Sequence, residues 1–578
     1  MTFSEAKERL QKNGILILFF SFVIISYIKC ILFESIIYPK IDTSFLINHL
    51  PKIVISLFIG SPILLLKKHA KWYAIIVSLI IDIWFVANFC YYRYNNSPID
   101  ALVLSMADNL SGFENSAFIF LDLKRDILLF LLTGLLIPIS LFFECKKKEV
   151  TVFICVFLSL YPLSFLSYFS VIREKQYWNF DLKINPFDFN EIFHIKEVKT
   201  DSNNEIAHSA LFVNANKNSG IHLLINNLIT INKISNEIKK LTPAEIEILN
   251  KQGYFSDLSE FKQYDSKLVI ILVESMESWV LTKESMPNLW EYMQNNNHFY
   301  ASKVVSQIRY GGSADGQMII NTGLLPLYNG AACFRYPNNV YPSLCKLSKG
   351  KSLCIVPHRL EVWNQGGMSL SYGYTENLIL EGDDAMLFDE LAKQIESEEY
   401  QTIQLLTIST HADFESVAWK SKFSPNKNMP IYEQNYLKSF HYVDEHLGKF
   451  LNKINSSKAF KDLTIMIVGD HTIFSKERRN EMTKYSQNHD DKYQPDAYTC
   501  AIIFSDKIDK KIRNDEVAYQ MDIYPTITSL LDCGYKNYKG IGKNLFDTLP
   551  IRRDSYYNDE LKYSNMIISS DFFKIDND

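Results

Sequence analysis

Five residues with the chemistry of metal ligands or acid–base groups stand just after short apolar runs. Glu274 directly follows KLVIILV (267–273), His358 follows SLCIV (352–356), His411 follows IQLLTI (403–408), and Asp470 and His471 follow LTIMIV (463–468). Glu, Asp and His bind divalent cations, and an oxygen-rich set with one imidazole suits Mn²⁺, Mg²⁺ or Zn²⁺. The glycine in VGDH lets the chain turn tightly where the ligand pair begins. Taken singly, each residue has an ordinary loop reading; their shared position after a run of strand length is what marks them. A hydroxyl nucleophile is offered by Ser313 in YGGSADGQMII, after two glycines and at the start of a helical pattern. Backbone N–H groups and the positive end of a helix favour an alkoxide and a bound phosphoryl group there, and a coordinated metal lowers the hydroxyl pKa further. The competing reading makes Ser313 a plain helix N-cap.

These residues need a scaffold that brings strand ends together. The four runs, with YTCAIIF (498–504), are continuous, rich in β-branched residues and separated by helical patterns. That arrangement predicts an α/β domain with a mostly parallel sheet covered on both faces. Ligands of such sheets sit beyond the carboxyl ends of the strands, so Glu274, His358, His411, Asp470 and His471 are expected to converge on one site.

The remainder of the chain is divided unevenly. Of its 578 residues, those before about 172 hold nearly all the long apolar stretches, and five stretches approach spanning length: about 14–38, 45–66, 72–92, 127–143 and 149–171. Lys7, Arg9 and Lys12, then Lys67, Lys68 and Lys71, then Lys146, Lys147 and Lys148 all fall on one side of a five-span arrangement. Positive loops prefer the cytoplasm, which puts everything after residue 172 outside. Lys29 and Glu34 follow the first apolar run where a cleaved signal peptide would carry small residues. Asp82 lies within the third stretch, either as a functional intramembrane carboxylate or as a helix–helix hydrogen-bond partner. The expected organisation is a transmembrane domain over 1–172, a linker with some helix over 173–260, including a Thr242-Pro243 start signal, and an outer catalytic domain over 261–578. A net charge of −5 argues against a nucleic-acid binder. The nine cysteines show no CxxC spacing; Cys333 and Cys345 are either a disulfide or buried thiols.

With those residues in place, the chain resembles the lipoteichoic acid synthase family, membrane enzymes of the alkaline-phosphatase/sulfatase superfamily that transfer glycerol phosphate from phosphatidylglycerol. ILVESMESW resembles the family's first metal-ligand motif, implying Glu274. GGSADGQMIINTGLLPL resembles its nucleophile segment, with Ser313 where threonine is usual, and VGDH its remaining ligand pair, implying Asp470 and His471. HRLEVWNQGGM is similar to the head-group segment, implying His358 and Trp363 as substrate-binding residues, and STHADF implies His411. MDIYPTITSLL and KGIGKNLF are similar to the closing segment of sulfatase-fold enzymes.

Two departures bear on specificity. Gln365 stands where the family usually has arginine, removing a bidentate phosphate clamp that Arg359 or Arg309 would have to replace, and the His358-to-Trp363 spacing is short. The resemblance implies one divalent cation, Mn²⁺ foremost, held by Glu274, Ser313, Asp470 and His471. It also implies a phospholipid donor, phosphatidylglycerol or phosphatidylethanolamine, and a glycan or polymer acceptor. Phosphoethanolamine transfer is the nearest alternative. A true sulfatase needs x-Pro-x-Arg after its nucleophile, whereas Ala314, Asp315, Gly316 and Gln317 follow Ser313. Asp413 and His489 read as surface or structural residues that a phosphohydrolase would recruit for a second metal, and an inactive membrane scaffold is the reading from a different class.

Overall fold

The computed structural model describes residues 13–37, 49–95, 98–99, 103–104, 121–142, 148–160, 162–163, 220–230, 238–328, 330–454, 462–474, 479–480, 482, 497–547, 554–570 and 572–573. The chain divides into two compact units, Met1–Ile234 and Ser235–Asp578. His489 and residues 173–219 of the expected linker lie outside the described residues.

Among the described residues of the first unit, two helices are long and apolar enough to cross a membrane, Gly14–Ile37 and Lys67–Arg93, where five stretches were expected. Prolines and a glycine account for much of the difference. The second stretch is an 11-residue helix, Leu50–Gly60, followed by a short 3₁₀ turn over Ser61–Leu64 that contains Pro62. Eleven residues rise only about 16 Å, roughly half a hydrocarbon core. The fourth stretch is broken into Leu123–Gly134 and Leu136–Phe142; Pro138 has no N–H for the carbonyl of Gly134. The fifth is described as far as the helix Val150–Leu160.

Charges inside this unit are paired. Lys29 Nζ meets Asp82 Oδ1 at 2.5 Å and donates to Ser78 Oγ at 2.6 Å and Thr133 Oγ1 at 2.5 Å, while Thr133 donates to Asp82 Oδ2 at 2.5 Å. Lys29 and Asp82 are both fully buried. Glu34 pairs with Lys52 at 2.6 Å, and Arg93 grips Asp126 through two bonds of 2.7 and 2.8 Å. Asp82 is therefore a helix-joining carboxylate. The segment read as linker also contributes here: the helix Gly220–Thr230 packs Ile221 and Leu223 among Phe33, Phe85 and Phe89, and Trp84 Nε1 donates to the carbonyl of Gly220 at 2.9 Å.

The second unit opens with the helix Pro243–Lys251, started by a reciprocal capping box between Thr242 and Glu245. A nine-stranded sheet follows: β1 Lys267–Val273, β2 Phe299–Val305, β3 Lys351–Val356, β4 Glu376–Ile379, β5 Tyr400–Leu406, β6 Leu463–Gly469, β7 Tyr498–Phe504, β8 Ile512–Asn514 and β9 Ala518–Tyr519. Its order is β9-β2-β7-β6-β1-β5-β3-β4, with β8 also on β2. The sheet is mixed. β7 runs antiparallel to both neighbours, β2 and β6, and the remaining pairings are parallel. The five runs identified in the sequence are all strands, and the antiparallel exception, YTCAIIF, carries none of the candidate site residues. β1 is central and buried on both faces, between β5 and β6. Because β1, β2, β3, β5 and β6 point the same way, the loops leaving their carboxyl ends share one edge.

Candidate active site

Four of the expected residues meet at that edge. Glu274, the first residue after β1, is fixed from both sides of its backbone: its N–H donates to Thr407 Oγ1 at 2.9 Å, and Thr410 Oγ1 donates to its carbonyl at 2.6 Å. Asp470 leaves β6 beside it, its N–H donating to the carbonyl of Val273 at 3.1 Å, and Asp470 Oδ1 accepts from the N–H groups of Ser275 and His471 at 2.8 and 2.7 Å. His471 Nε2 lies 3.5 Å from Glu274 Oε1 and from Asp470 Oδ2. Its Nδ1 is 3.2 Å from the carbonyl of Thr472, so the proton sits on Nδ1 and the Nε2 lone pair faces the carboxylates. Ser313 completes the group, 3.1 Å from Glu274 Oε2 and 3.2 Å from His471 Nε2.

The nucleophile segment takes its shape from glycine and one acid. Gly312 has φ +49° and ψ −126°, a conformation that favours glycine, and it precedes the helix Ser313–Thr322. Asp315 accepts from the N–H groups of Arg309 and Gly311 at 2.9 and 2.8 Å and so holds the turn before Ser313. Burial pushes the Asp315 carboxyl up to about 6, against the lowering pull of those two N–H groups. Gly316 lets the helix lie directly on the ligand loop, since a Cβ there would come within 2.4 Å of the Asp470 carbonyl oxygen.

Glu274, Asp470 and His471 each offer one donor atom, and these atoms lie within 4.8 Å of one another in a buried position. The electrostatics suit a cation. Burial and the adjacent Glu274 charge push the Asp470 carboxyl up to about 7. Burial would raise Glu274 too, but the charges of His471 and His411 hold it low. Burial disfavours a charged His471, yet the two acids raise its pKa overall. Two crowded carboxylates and an imidazole with its lone pair turned inward form a donor set for a divalent metal. Metal must then compete with the proton on Asp470. Bound metal is expected to raise Tm by about 5 °C at pH 8 and by clearly less at pH 6, since protonation of Asp470 below about 7 weakens binding. In the metal-free protein the raised Asp470 pKa favours folding below its unfolded value and that contribution is lost as pH rises through about 7. Calorimetric scans with and without Mn²⁺ at the two pH values check both signs; a metal-induced shift larger at pH 6 would be the wrong sign.

The residues expected to bind substrate, His358, His411 and Trp363, lie near this group. His358 is half-buried, with Nδ1 3.1 Å from the carbonyl of Arg359; burial lowers its imidazole pKa, and the charges of Glu274 and His411 act on it. His411 has Nδ1 3.1 Å from the carbonyl of Ala412. Trp363 takes φ +52° and ψ +26°, and its ring lies against Gly312, 3.4 Å from where a Cβ of that glycine would stand. Gln365 does not face the site as a replaced arginine would: it is 2% exposed, pairs reciprocally with Gln317 at 2.9 and 3.0 Å, and donates to Ser369 at 2.9 Å. Asp413 caps the N–H of Glu415 at 3.0 Å. Cys333 and Cys345 are free, buried thiols.

One residue without an assigned role in the sequence reading is Glu277, which is fully buried. Its Oε1 accepts from the N–H groups of Ile473 and Phe474 at 2.9 and 3.0 Å and from Arg479 at 2.5 Å, and its Oε2 accepts from Trp279 Nε1 at 2.6 Å. It ties the segment bearing Glu274 to the segment bearing Asp470 and His471. The available signal was an acid three residues after the first ligand, in ESMESW.

Comparison with known proteins gives the same two-part division. The Sulfatase family profile matches residues 270–533, and the Lipoteichoic acid synthase N-terminal domain profile matches residues 3–179. Lipoteichoic acid synthase 2 of Bacillus subtilis is 22% identical over 539 residues, covering 86% of this chain and 78% of that protein. Lipoteichoic acid synthase of Staphylococcus saprophyticus is 22% identical over 566 residues, covering 89% and 82%. Among solved structures, the lipoteichoic acid synthase LtaP of Listeria monocytogenes aligns with 59% of this chain and 98% of its own at 15% identity and TM-score 0.44. The Streptococcus pyogenes phosphoglycerol transferase GacH, solved with sn-glycerol-1-phosphate, aligns with 58% and 99% at 15% identity and TM-score 0.42. A sulfatase domain joined to a lipoteichoic acid synthase N-terminal domain, with lipoteichoic acid synthases matching most of its length, makes this chain a lipoteichoic acid synthase-like phosphotransferase of the sulfatase superfamily.

Proposed function

We propose that this enzyme moves a phosphoglycerol-type head group from a membrane phospholipid to a glycan or polymer acceptor outside the cytoplasm, through a covalent phospho-Ser313 intermediate. The observation that carries the reading is Ser313 Oγ within 3.2 Å of both Glu274 and His471, at the start of a helix and on the rim where Asp470 also lies. Glu274, Asp470 and His471, with the Ser313 hydroxyl, would hold one divalent cation, Mn²⁺ foremost, with Mg²⁺ and Zn²⁺ as alternatives. Such a cation lowers the Ser313 pKa and offsets charge on the phosphoryl oxygens.

The chain's own groups do the rest. Ser313 Oγ attacks the phosphorus of the donor phosphodiester, the bond to the diacylglycerol oxygen breaks, and diacylglycerol leaves with a proton. An acceptor hydroxyl then attacks the same phosphorus, its proton is taken up at the site, and Ser313 Oγ is released. His411 and His358 steady the phosphoryl oxygens and exchange those protons. Trp363 packs against the small polar head beside Gly312. The apolar helices of the first unit keep the enzyme at the surface that carries its donor, with the catalytic unit outside, which raises the effective donor concentration.

Mass spectrometry of the protein after incubation with phosphatidylglycerol or phosphatidylethanolamine tests the reading. A glycerol-phosphate increment on Ser313 is expected. A phosphoethanolamine increment would reassign the donor, and an adduct on another residue would refute the nucleophile.

A further inference from the structure

The position in the head-group segment where an arginine was expected holds a buried amide, and its partner lies on the nucleophile helix. Gln365 and Gln317 exchange two hydrogen bonds: Gln317 Nε2 donates to Gln365 Oε1 at 2.9 Å, and Gln365 Nε2 donates to Gln317 Oε1 at 3.0 Å. Gln317 stands one turn after Ser313 in the helix Ser313–Thr322. The pair continues into the interior, where Gln404 of β5 donates to Gln317 Oε1 at 3.2 Å and Asn321 donates to Gln404 Oε1 at 2.7 Å. The Tyr374 hydroxyl reaches Asn321 Oδ1 and Gln404 Oε1 at 3.0 and 3.1 Å. These side chains are all buried and neutral. A satisfied buried network of directional bonds rigidifies and specifies one arrangement of the elements that carry it.

Three consecutive residues of this turn make three separate attachments. Trp363 and Asn364 have φ of +52° and +47°, a left-handed conformation that side chains other than glycine keep only where surrounding contacts over-determine it. Asn364 supplies one such contact, its Nδ2 donating to the Cys333 carbonyl at 2.7 Å. Gln365 supplies the other, locked to Gln317 and donating to Ser369 Oγ at 2.9 Å. Between these two anchors the Trp363 ring is set against Gly312, next to Ser313, with the Phe334 ring 6.0 Å from it. The helix that carries the nucleophile and the turn that carries the tryptophan are thus joined through one amide pair.

We propose that Gln365 is a positioning residue: through Gln317 it fixes the Trp363 ring beside Ser313 and so sets which phospholipid head group the enzyme accepts. The inference rests on the proposed phosphotransfer. A phosphate clamp grips a group that all donor phospholipids share, whereas a ring held at a fixed distance from the nucleophile sorts the part that differs. With Gln365 turned inward, this segment discriminates by the space between Trp363 and Ser313. Glycerol is uncharged and larger, and ethanolamine is smaller and cationic. A loosened indole closes on the smaller group and brings its face over the ammonium, so freeing the ring narrows the preference for glycerol.

The test uses full-length protein with Mn²⁺ in proteoliposomes of phosphatidylglycerol or of phosphatidylethanolamine, and follows the single-turnover loading of Ser313 by mass spectrometry. The wild type is expected to load faster from phosphatidylglycerol. Gln365→Met is expected to narrow the ratio of the two rates about tenfold, with Mn²⁺ affinity unchanged and Tm lowered, because the Gln317 amide is left buried without its partner. In the double variant Gln317→Met/Gln365→Met both amides are gone, so Tm recovers towards the wild type. The ratio stays narrowed, because flexible thioether chains pack without fixing a direction. A ratio that returns with Tm marks the pair as packing alone and overturns the proposal. Adding Gln365→Met to Trp363→Ala is expected to change the ratio no further, since both act through one ring; a further tenfold change overturns it. So does an unchanged ratio in Gln365→Met, an equal loss with both lipids, or a wild type without preference for phosphatidylglycerol. A wild type that forms no Ser313 adduct from either lipid instead brings down the transferase reading beneath it.

Discussion

Transfer by the Ser313→Ala protein is expected to fall by on the order of 10⁴-fold, with no covalent adduct at any donor concentration. The size follows from the position of the hydroxyl. It is 3.1 Å from a buried carboxylate and 3.2 Å from a buried imidazole nitrogen, and among the described residues these interactions give no other side-chain hydroxyl the same place. Alanine leaves Glu274, Asp470 and His471 intact, so metal binding should weaken by far less than activity, and that split separates loss of the nucleophile from collapse of the site. Ser313→Thr is expected to retain activity within about tenfold, because the hydroxyl is kept. Rates from single-turnover mixing, with metal titration of each variant alongside, decide the matter. A Ser313→Ala enzyme still forming a phosphorylated adduct would sink it.

The largest effect on stability is expected at Glu277. Truncation to alanine removes a fully buried carboxylate that serves two backbone N–H groups, an indole N–H and Arg479. Removing one partner of a buried ion pair costs about 3–5 kcal/mol, because the other charge stays behind unpaired. For a unit of this size that corresponds to a drop in Tm of roughly 4–7 °C. The loop from Asp470 to Phe474 would lose its anchor to the Glu274 segment, so the surviving folded protein should also bind metal more weakly, by about tenfold or more. Glu277→Gln keeps the volume but gives up the charge facing Arg479, and should fall between. Thermal scans in excess chelator isolate the folding cost, and metal titrations isolate the site. Wild-type stability in Glu277→Ala would mean that the clamp contributes nothing.

The central strands were legible because they are buried on both faces, so β-branched residues run without interruption, as in KLVIILV and LTIMIVG. The shared edge was legible for the same reason, since parallel strands must put their carboxyl ends together. β2 was not, because Ser302 and Lys303 interrupt FYASKVV, and the reversed direction of β7 leaves no mark in YTCAIIF. Gln365 was read as standing where the resembled family usually has an arginine that clamps phosphate. Positive φ at Trp363 and Asn364 turns the chain between them, however, and the glutamine enters the interior. Glu277 escaped notice because its partners lie about 200 residues further along. The second and fourth apolar stretches were read as unbroken because hydropathy does not register that Pro62 and Pro138 interrupt helical hydrogen bonding.

The Lys29–Asp82 contact has a consequence for biogenesis. Each residue alone would oppose entry into lipid by about 2.5–3.5 kcal/mol at mid-depth. The two helices that carry them are therefore expected to partition more readily packed together than one after the other. Thr133 bonds to both Lys29 and Asp82, which brings a third segment of the chain into the same buried contact.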